Sequence, residues 1–194
     1  MKQGISPLAR RVLTLGAGLA LMSSAVQAAG SYSRVVPEKS SLAFVSQQMG
    51  VAVDGRFTRF SATLDFDLAK PEAGSATLDI ELASIDAGGP EANDEVKGKN
   101  WFDVKHHPTA RFVSSSVKPL GNNRYEVRGQ MSIKGKTREV AAPFTLKPDG
   151  TGALLEGSFP LKRLEFGVGT GAWGDTSVVA DEVQIRFKLA VAGK

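Results

Sequence analysis

From Ser31 onward, apolar and polar residues alternate one by one, the pattern of strands with one face in a core and the other in water. The last segment shows it most clearly: Val183, Ile185, Phe187, Leu189 and Val191 share one side, and Glu182, Gln184, Arg186 and Lys188 the other. The same rule sets Ala76, Leu78, Ile80 and Leu82 against Thr77, Asp79 and Glu81. It sets Phe60, Ala62, Leu64 and Phe66 against Arg59, Ser61, Thr63 and Asp65. Tyr125, Val127, Gly129, Met131 and Ile133 form a further apolar side, and shorter runs occur at 42–46, 110–114, 140–146 and 155–161. The pattern predicts about eight strands.

Turn chemistry separates them. Pro71-Glu72-Ala73-Gly74, Gly121-Asn122-Asn123, Lys134-Gly135-Lys136 and Pro148-Asp149-Gly150 are each short enough to join antiparallel neighbours. The connection between the third and fourth strands is longer, and Pro90 is placed to open a short helix within it. A second irregular stretch, Gly167 to Gly174, is glycine-rich and precedes the final strand. The chain thus reads as all-β, an antiparallel barrel of about eight strands with one short helix. A membrane-spanning barrel would turn apolar residues outward to lipid, whereas here the face opposite the apolar one carries charges on nearly every strand.

The N-terminus alters the charge picture. Lys2, Arg10 and Arg11 precede an uncharged apolar run from Val12 to Val26, and Val26-Gln27-Ala28 offers small residues where a signal peptidase cuts. Residues 1–28 are therefore expected to be a secretory signal and 29–194 a single barrel domain, exported to the periplasm. The chain holds 24 Lys+Arg and 20 Asp+Glu. Taking away the three basic residues of the signal leaves 21 against 20, so the net charge of +4 falls to +1. No basic nucleic-acid surface is indicated. With no cysteine, the stability of the exported domain has to come from its core.

Candidate chemistry is sparse. His106 and His107 are the only histidines, and adjacent residues of an extended chain point to opposite faces, so a metal site lacks ligands. Asp65 with Asp67, and Asp79 with Glu81, share strand faces on the water side, where solvated charge is the ordinary reading. There is no nucleophile elbow and no phosphate loop, and neither an enzyme nor a cofactor is expected. The aromatic and aliphatic set says more. Phe44, Phe60, Leu64, Phe66, Leu78, Ile80, Phe112, Met131, Phe144, Phe159 and Phe187 fall on inward faces, and Trp101, Phe102 and Trp173 flank the irregular stretches. Small residues at Ala62, Ala76, Gly129, Ala142 and Gly157 interrupt them, either leaving space inside the barrel or only relieving crowding. From the residues alone, an ordinary core is favoured over a ligand tunnel as the account of this aromatic set, since aromatic side chains dominate most interiors.

The sequence resembles the YceI-like proteins, a lipocalin-like group of mostly exported bacterial proteins. The pieces that carry the likeness are Ser41-Leu42-Ala43-Phe44-Val45, Gly55-Arg56-Phe57-Thr58-Arg59-Phe60 and Ala83-Ser84-Ile85-Asp86. Trp101-Phe102-Asp103-Val104-Lys105-His106-His107-Pro108-Thr109-Ala110-Arg111-Phe112 and Val127-Arg128-Gly129-Gln130-Met131-Ser132-Ile133-Lys134-Gly135-Lys136-Thr137 follow in order. The resemblance implies a lipocalin-like barrel whose tunnel holds a long-chain isoprenoid, a prenyl phosphate or a ubiquinone-like molecule, and it turns the inward set above into tunnel lining. It implies a role in stress responses as well. Arg56, Arg59, Lys97, Lys99 and Lys105 are the basic residues that could meet a phosphate head group. The stretch from Gly167 to Gly174, with Asp175 and Asp181-Glu182, is similar to the subgroup found beside cytochrome b561-type proteins. That likeness implies a membrane cytochrome as a partner and offers a second reading, a non-enzymatic accessory protein that docks on it. Monomer and dimer both remain open.

Overall fold

The structure is a computed structural model that describes residues 30–193; the expected signal segment lies outside the described residues. Its strands are β1 (Ser31–Val35), β2 (Ser41–Gln48), β3 (Val51–Phe57), β4 (Phe60–Asp67), β5 (Ser75–Glu81), β6 (Ile85–Asp86), β7 (Thr109–Gly121), β8 (Arg124–Ile133), β9 (Lys136–Asp149), β10 (Gly152–Lys162) and β11 (Glu182–Gly193). All pairings are antiparallel, in the order β1-β4-β5-β7-β8-β9-β10-β11, and β1 returns to β11. Eight strands therefore close a barrel, as the alternation predicts. The one α-helix among the described residues, α1 (Pro90–Lys97), lies in the long connection before β7 and starts at Pro90.

The additional strands arise because three long strands are broken. Along β11, Val191 and Ala192 pair with β1, whereas Gln184–Lys188 pair with β2. The jog between β1 and β2 is a 3-10 turn over Pro37–Lys39. The Ser40 hydroxyl repairs the ladder there, donating to the Val36 carbonyl at 2.7 Å and accepting from the Ala190 amide at 3.0 Å. A second break separates β3 from β4 at Thr58-Arg59, and a third separates β5 from β6 at Leu82–Ser84. Buried Ser84 serves both: its hydroxyl accepts from the Arg59 amide at 3.0 Å and donates to the Glu81 carbonyl at 2.7 Å. Sequence alternation does not reveal β1, β3 and β6 as separate strands, because each break resets the period after a few residues.

The interior is filled at one end only. Tyr32, Phe66, Val117, Tyr125, Phe144, Leu146, Ala153, Leu155 and Val191 form a buried plug. Its centre is aromatic. The Phe66 ring meets Tyr125 edge-on at 5.2 Å, and Tyr125 stacks on Phe144 at 5.3 Å, geometries that favour the ring quadrupoles. The other buried cluster, built around Leu42, Ile80, Phe112, Met131, Ile133 and Phe159, packs round a hollow.

Candidate functional site: an apolar cavity with a polar mouth

The hollow has a volume of about 590 Å³, inside the range typical of pockets that take one organic ligand. Its floor is the plug, with Phe66, Val117, Phe144 and Leu155 facing up into it. The walls come from alternate residues of the barrel strands: Phe60, Ala62 and Leu64 of β4, Ala76, Leu78 and Ile80 of β5, Phe112 of β7, Met131 of β8, Ala142 of β9, Phe159 of β10 and Phe187 of β11. Phe44 and Phe57 (ring centroids 5.8 Å apart) and then Phe102 (6.1 Å from Phe57) continue the wall towards α1. All fourteen inward or flanking residues singled out from the sequence lie on this one surface.

The small residues divide into two kinds. Ala62, Ala76 and Ala142 border the hollow directly. Gly129 and Gly157 do not leave space. A Cβ on Gly129 would collide with the Phe112 ring and the Val113 carbonyl, and one on Gly157 with the Phe187 ring and the Pro143 carbonyl. Gly55 is covered by the Phe44 ring in the same way. These glycines let phenyl rings lie flat across the neighbouring strand, which keeps the rings out of the cavity.

The mouth is built from the two irregular segments. Trp101 and Trp173, far apart in sequence, meet at 5.6 Å, and the Trp173 indole Nε1 donates to Glu95 Oε1 at 2.7 Å. Glu91 and Glu95, one turn apart on α1, both border the cavity, as do Ser46 and Gln48 of β2. Lys134 ties the rim down from below, its Nζ donating to the Lys99 and Gly167 carbonyls at 2.8 Å each. Burial there pushes the Lys134 pKa down.

Arg163 organises the glycine-rich segment. It is 3% exposed, and no carboxylate among the described residues lies within ion-pairing distance, yet all five of its N–H donors are used. Nε donates to Ala180, one terminal nitrogen to Val168 and Gly169, and the other to Trp173 and Val179, at 2.5–3.0 Å. Its guanidinium carbon also sits 5.7 Å from the Trp101 ring centre, a cation–π distance. Burial lowers its pKa, opposed by the charge of Asp181. Although Arg163 borders the cavity, it has no donor left for a ligand. Arg163 is not among the residues singled out from the sequence, but the sequence carries a signal for it: Phe159, Leu161 and Arg163 share the inward parity, so a charge follows two core residues straight into the glycine-rich run.

The five basic residues considered for a head group sit elsewhere. Arg56 pairs with Asp86 at 2.9 Å, Arg59 holds Glu81 in a bidentate pair at 2.6 Å, and Lys97 lies 3.8 Å from Asp94. None of the five, Lys99 and Lys105 included, borders the cavity. His106 is part of a turn, its Nδ1 2.9 Å from Asp103. Among the described residues no three metal-ligating side chains come together. Asp79 and Glu81 point to water and pair with Arg111 and Arg59.

A closed antiparallel barrel, plugged at one end and hollow at the other, with a rim of irregular segments, defines a lipocalin-like protein. The chain belongs to the YceI-like domain family, whose pattern matches residues 34–191. It is 28% identical over 171 residues to a UPF0312 protein of Pseudomonas syringae pv. syringae (strain B728a), covering 83% of this chain and 88% of that one. The crystal structure of BcnA from Burkholderia cenocepacia is similar at 48% identity and a TM-score of 0.79, covering 81% of this chain and 99% of BcnA. A polyisoprenoid binding domain from Saccharophagus degradans shares the fold, with a TM-score of 0.64 at 15% identity over 86% of this chain and 99% of that one.

Proposed function

We propose that this protein is a periplasmic binding protein that holds one long-chain isoprenoid-type amphiphile, tail down in the cavity and head at the mouth, and catalyses no reaction on it. The observation that carries the reading is the cavity, a dead-ended hollow of about 590 Å³ walled by aromatic and aliphatic side chains. A tail gains about 0.8 kcal/mol per buried methylene. Around ten buried carbons thus suffice for micromolar affinity after the costs of association. No polar recognition deep in the barrel is needed. The fold relative from Saccharophagus degradans, described as a polyisoprenoid binding domain, supports the same ligand class.

The rim favours a neutral head group, such as that of a prenyl quinone, over a prenyl phosphate. Two carboxylates, Glu91 and Glu95, border the cavity, and Arg163, the one cation among the described residues that borders it, has every donor engaged. The expected signal peptide supports the periplasmic location. The test is to purify the protein from a periplasmic fraction, extract it with solvent and identify the extract by mass spectrometry. A stoichiometric long-chain prenyl lipid is expected. An empty barrel that also fails to bind added prenyl quinone from detergent overturns the reading and leaves the accessory-protein reading, in which no cargo is held.

A further inference from the structure

Three hairpins turn on two residues with positive φ: Met49-Gly50 (50° and 78°), Asn122-Asn123 (53° and 57°) and Lys134-Gly135 (50° and 72°). Such turns favour Asn, Asp and Gly, which tolerate the left-handed region. Lys134 departs from that preference, but its ammonium bonds the Lys99 and Gly167 carbonyls; the other departure is Met49. It has a long apolar side chain in a conformation that suits it poorly, and it is 77% exposed. Two residues on, Val51 is 65% exposed, and Ala52 next to it is exposed too. Met49 and Val51 are the two most exposed large hydrophobic residues among those described, and they share one hairpin tip.

That tip is held firmly at the edge of the mouth. The Met49 amide donates to the Val178 carbonyl at 2.8 Å, and the Ala180 amide donates to Gln47 at 2.9 Å, so the end of β2 is fastened to the segment that Arg163 organises. Ser46, Gln48 and Val53, immediately beside the tip, border the cavity. The outer edge of β3 pairs with β6 only at Arg56 and Phe57, and no strand among the described residues pairs with 51–55 on that side. An apolar prow therefore stands at the polar rim of an apolar cavity.

We propose that the Met49-Gly50-Val51 tip inserts into the surface of a lipid bilayer and sets the cavity mouth against it, so that cargo passes between bilayer and barrel without crossing water. The use of the contact for cargo rests on the function proposed above; the contact itself does not. Two observations favour a bilayer over a protein partner. The tip is a few side chains, far below the roughly 1,000 Å² that a specific protein interface needs, yet enough for shallow interfacial insertion. Its charge is also wrong for a salt-steered protein contact: from Ser41 to Gly55 the only charged residue is Asp54. On α1 the Asp94 charge is met by Lys97, but Glu91 and Glu95 border the same cavity, so the contact suits zwitterionic lipid and not an anionic surface.

The test compares the wild type with a Met49→Asn, Val51→Thr double variant, whose residues suit the turn and the strand. Flotation with phosphatidylcholine vesicles is expected to show partitioning of the cargo-free wild type that drops about tenfold or more in the variant. Adding phosphatidylglycerol should not strengthen it. The rate at which a fluorescent prenyl quinone leaves such vesicles for the barrel should fall by a similar factor, while equilibrium binding from detergent micelles stays unchanged. If the quinone does not bind from detergent, the proposed cargo is wrong, and flotation alone still decides the docking. Equal flotation of both proteins overturns the proposal. So does a wild-type dimer in sedimentation that the variant loses, because the tip is then a contact between copies of this chain.

Discussion

The indole of Trp173 donates its Nε1 proton to Glu95 Oε1 at 2.7 Å, joining the glycine-rich segment to helix α1 across the cavity mouth. Neither partner belongs to a barrel strand, so this bond and the contact of Trp173 with Trp101 at 5.6 Å fix the width of the opening. Both residues are accessible to solvent, so water competes for the bond.

Trp173→Phe keeps most of the ring but removes the donor. A hydrogen bond to a charged acceptor contributes about 1.5–3 kcal/mol, less where water competes as it does here. Release of a bound prenyl quinone should therefore speed up about threefold to tenfold, with a melting temperature close to wild type. Stopped-flow displacement by a competing lipid measures this, and an unchanged off-rate would show that the mouth is not gated there.

Filling the cavity separates space from stability. Ala62 faces the hollow from β4, so Ala62→Phe places a ring in empty volume and should abolish tail binding while shifting stability by only about 1 kcal/mol. Gly157→Ala adds a single methyl where the Phe187 ring and the Pro143 carbonyl already sit, and it should cost about 1–3 kcal/mol. Chemical denaturation and a binding titration on the same two proteins give the contrast. A Gly157→Ala protein as stable as wild type would remove the account of flat-lying rings.

How far the sequence anticipates this molecule depends on the length of each uninterrupted stretch. In β11, unbroken alternation from Glu182 to Leu189 names the inward face outright, and Val183, Ile185, Phe187 and Leu189 all border the cavity. In β1, β3 and β6 the breaks at Pro37–Lys39, Thr58-Arg59 and Leu82–Ser84 cut the pattern before a period is established, and the repairs by Ser40 and Ser84 are tertiary. The wall was legible for the same reason as the strands. The mouth was not: contacts such as Trp101 with Trp173, or Glu95 with Trp173, join loops with no periodicity, and only the closed barrel determines which loops meet. Parity alone leaves Gly129 and Gly157 open between space and relief of crowding; the structure shows the second, because a glycine beside an aromatic on the next strand is a seat for the ring.

Arg163 offers a sharper test of what shapes the mouth. Arg163→Met matches much of the side-chain bulk but strips donors from the carbonyls of Val168, Gly169, Trp173, Val179 and Ala180. Several buried acceptors would lose their partners together, so a loss of about 3 kcal/mol or more is expected. Hydrogen exchange should quicken through 167–180 and leave the plug around Phe66 and Tyr125 protected. Uniform loss of protection would mean that Arg163 supports the whole barrel instead of its rim.

Acid should loosen the protein gradually. Hydrogen bonds from Arg59, His106 and Lys147 hold the carboxyls of Glu81, Asp103 and Glu156, respectively, below their usual pKa values. A folded-state pKa below the unfolded one adds stability above the unfolded value and loses it as pH falls through the folded one. The melting temperature should therefore be flat above about pH 5 and decline below about pH 4, where free Glu and Asp begin to protonate. All three carboxyls are solvent-screened, so the decline is shallow. Glu81→Gln should flatten part of it, and a melting temperature that falls instead between pH 7 and 5 would point to other groups.

The charge of the rim sets the last expectation. Glu91 borders the cavity from the first turn of α1 and is not the acceptor for Trp173, so replacing it leaves the bond across the mouth in place. Glu91→Lys reverses one charge beside the head group. At the effective dielectric of a protein surface, two unit charges several ångströms apart interact by about 1–2 kcal/mol. Losing a repulsion and gaining an attraction each count once, so affinity for a prenyl phosphate should rise about thirtyfold or more, and the gain should shrink with added salt. Affinity for a prenyl quinone of equal tail length should stay within about twofold, because its head carries no charge for the lysine to meet. Titrating both lipids from the same detergent against wild type, Glu91→Gln and Glu91→Lys gives a graded series. If phosphate and quinone respond alike, the head group does not lie at α1, and the tail must enter the barrel from another side.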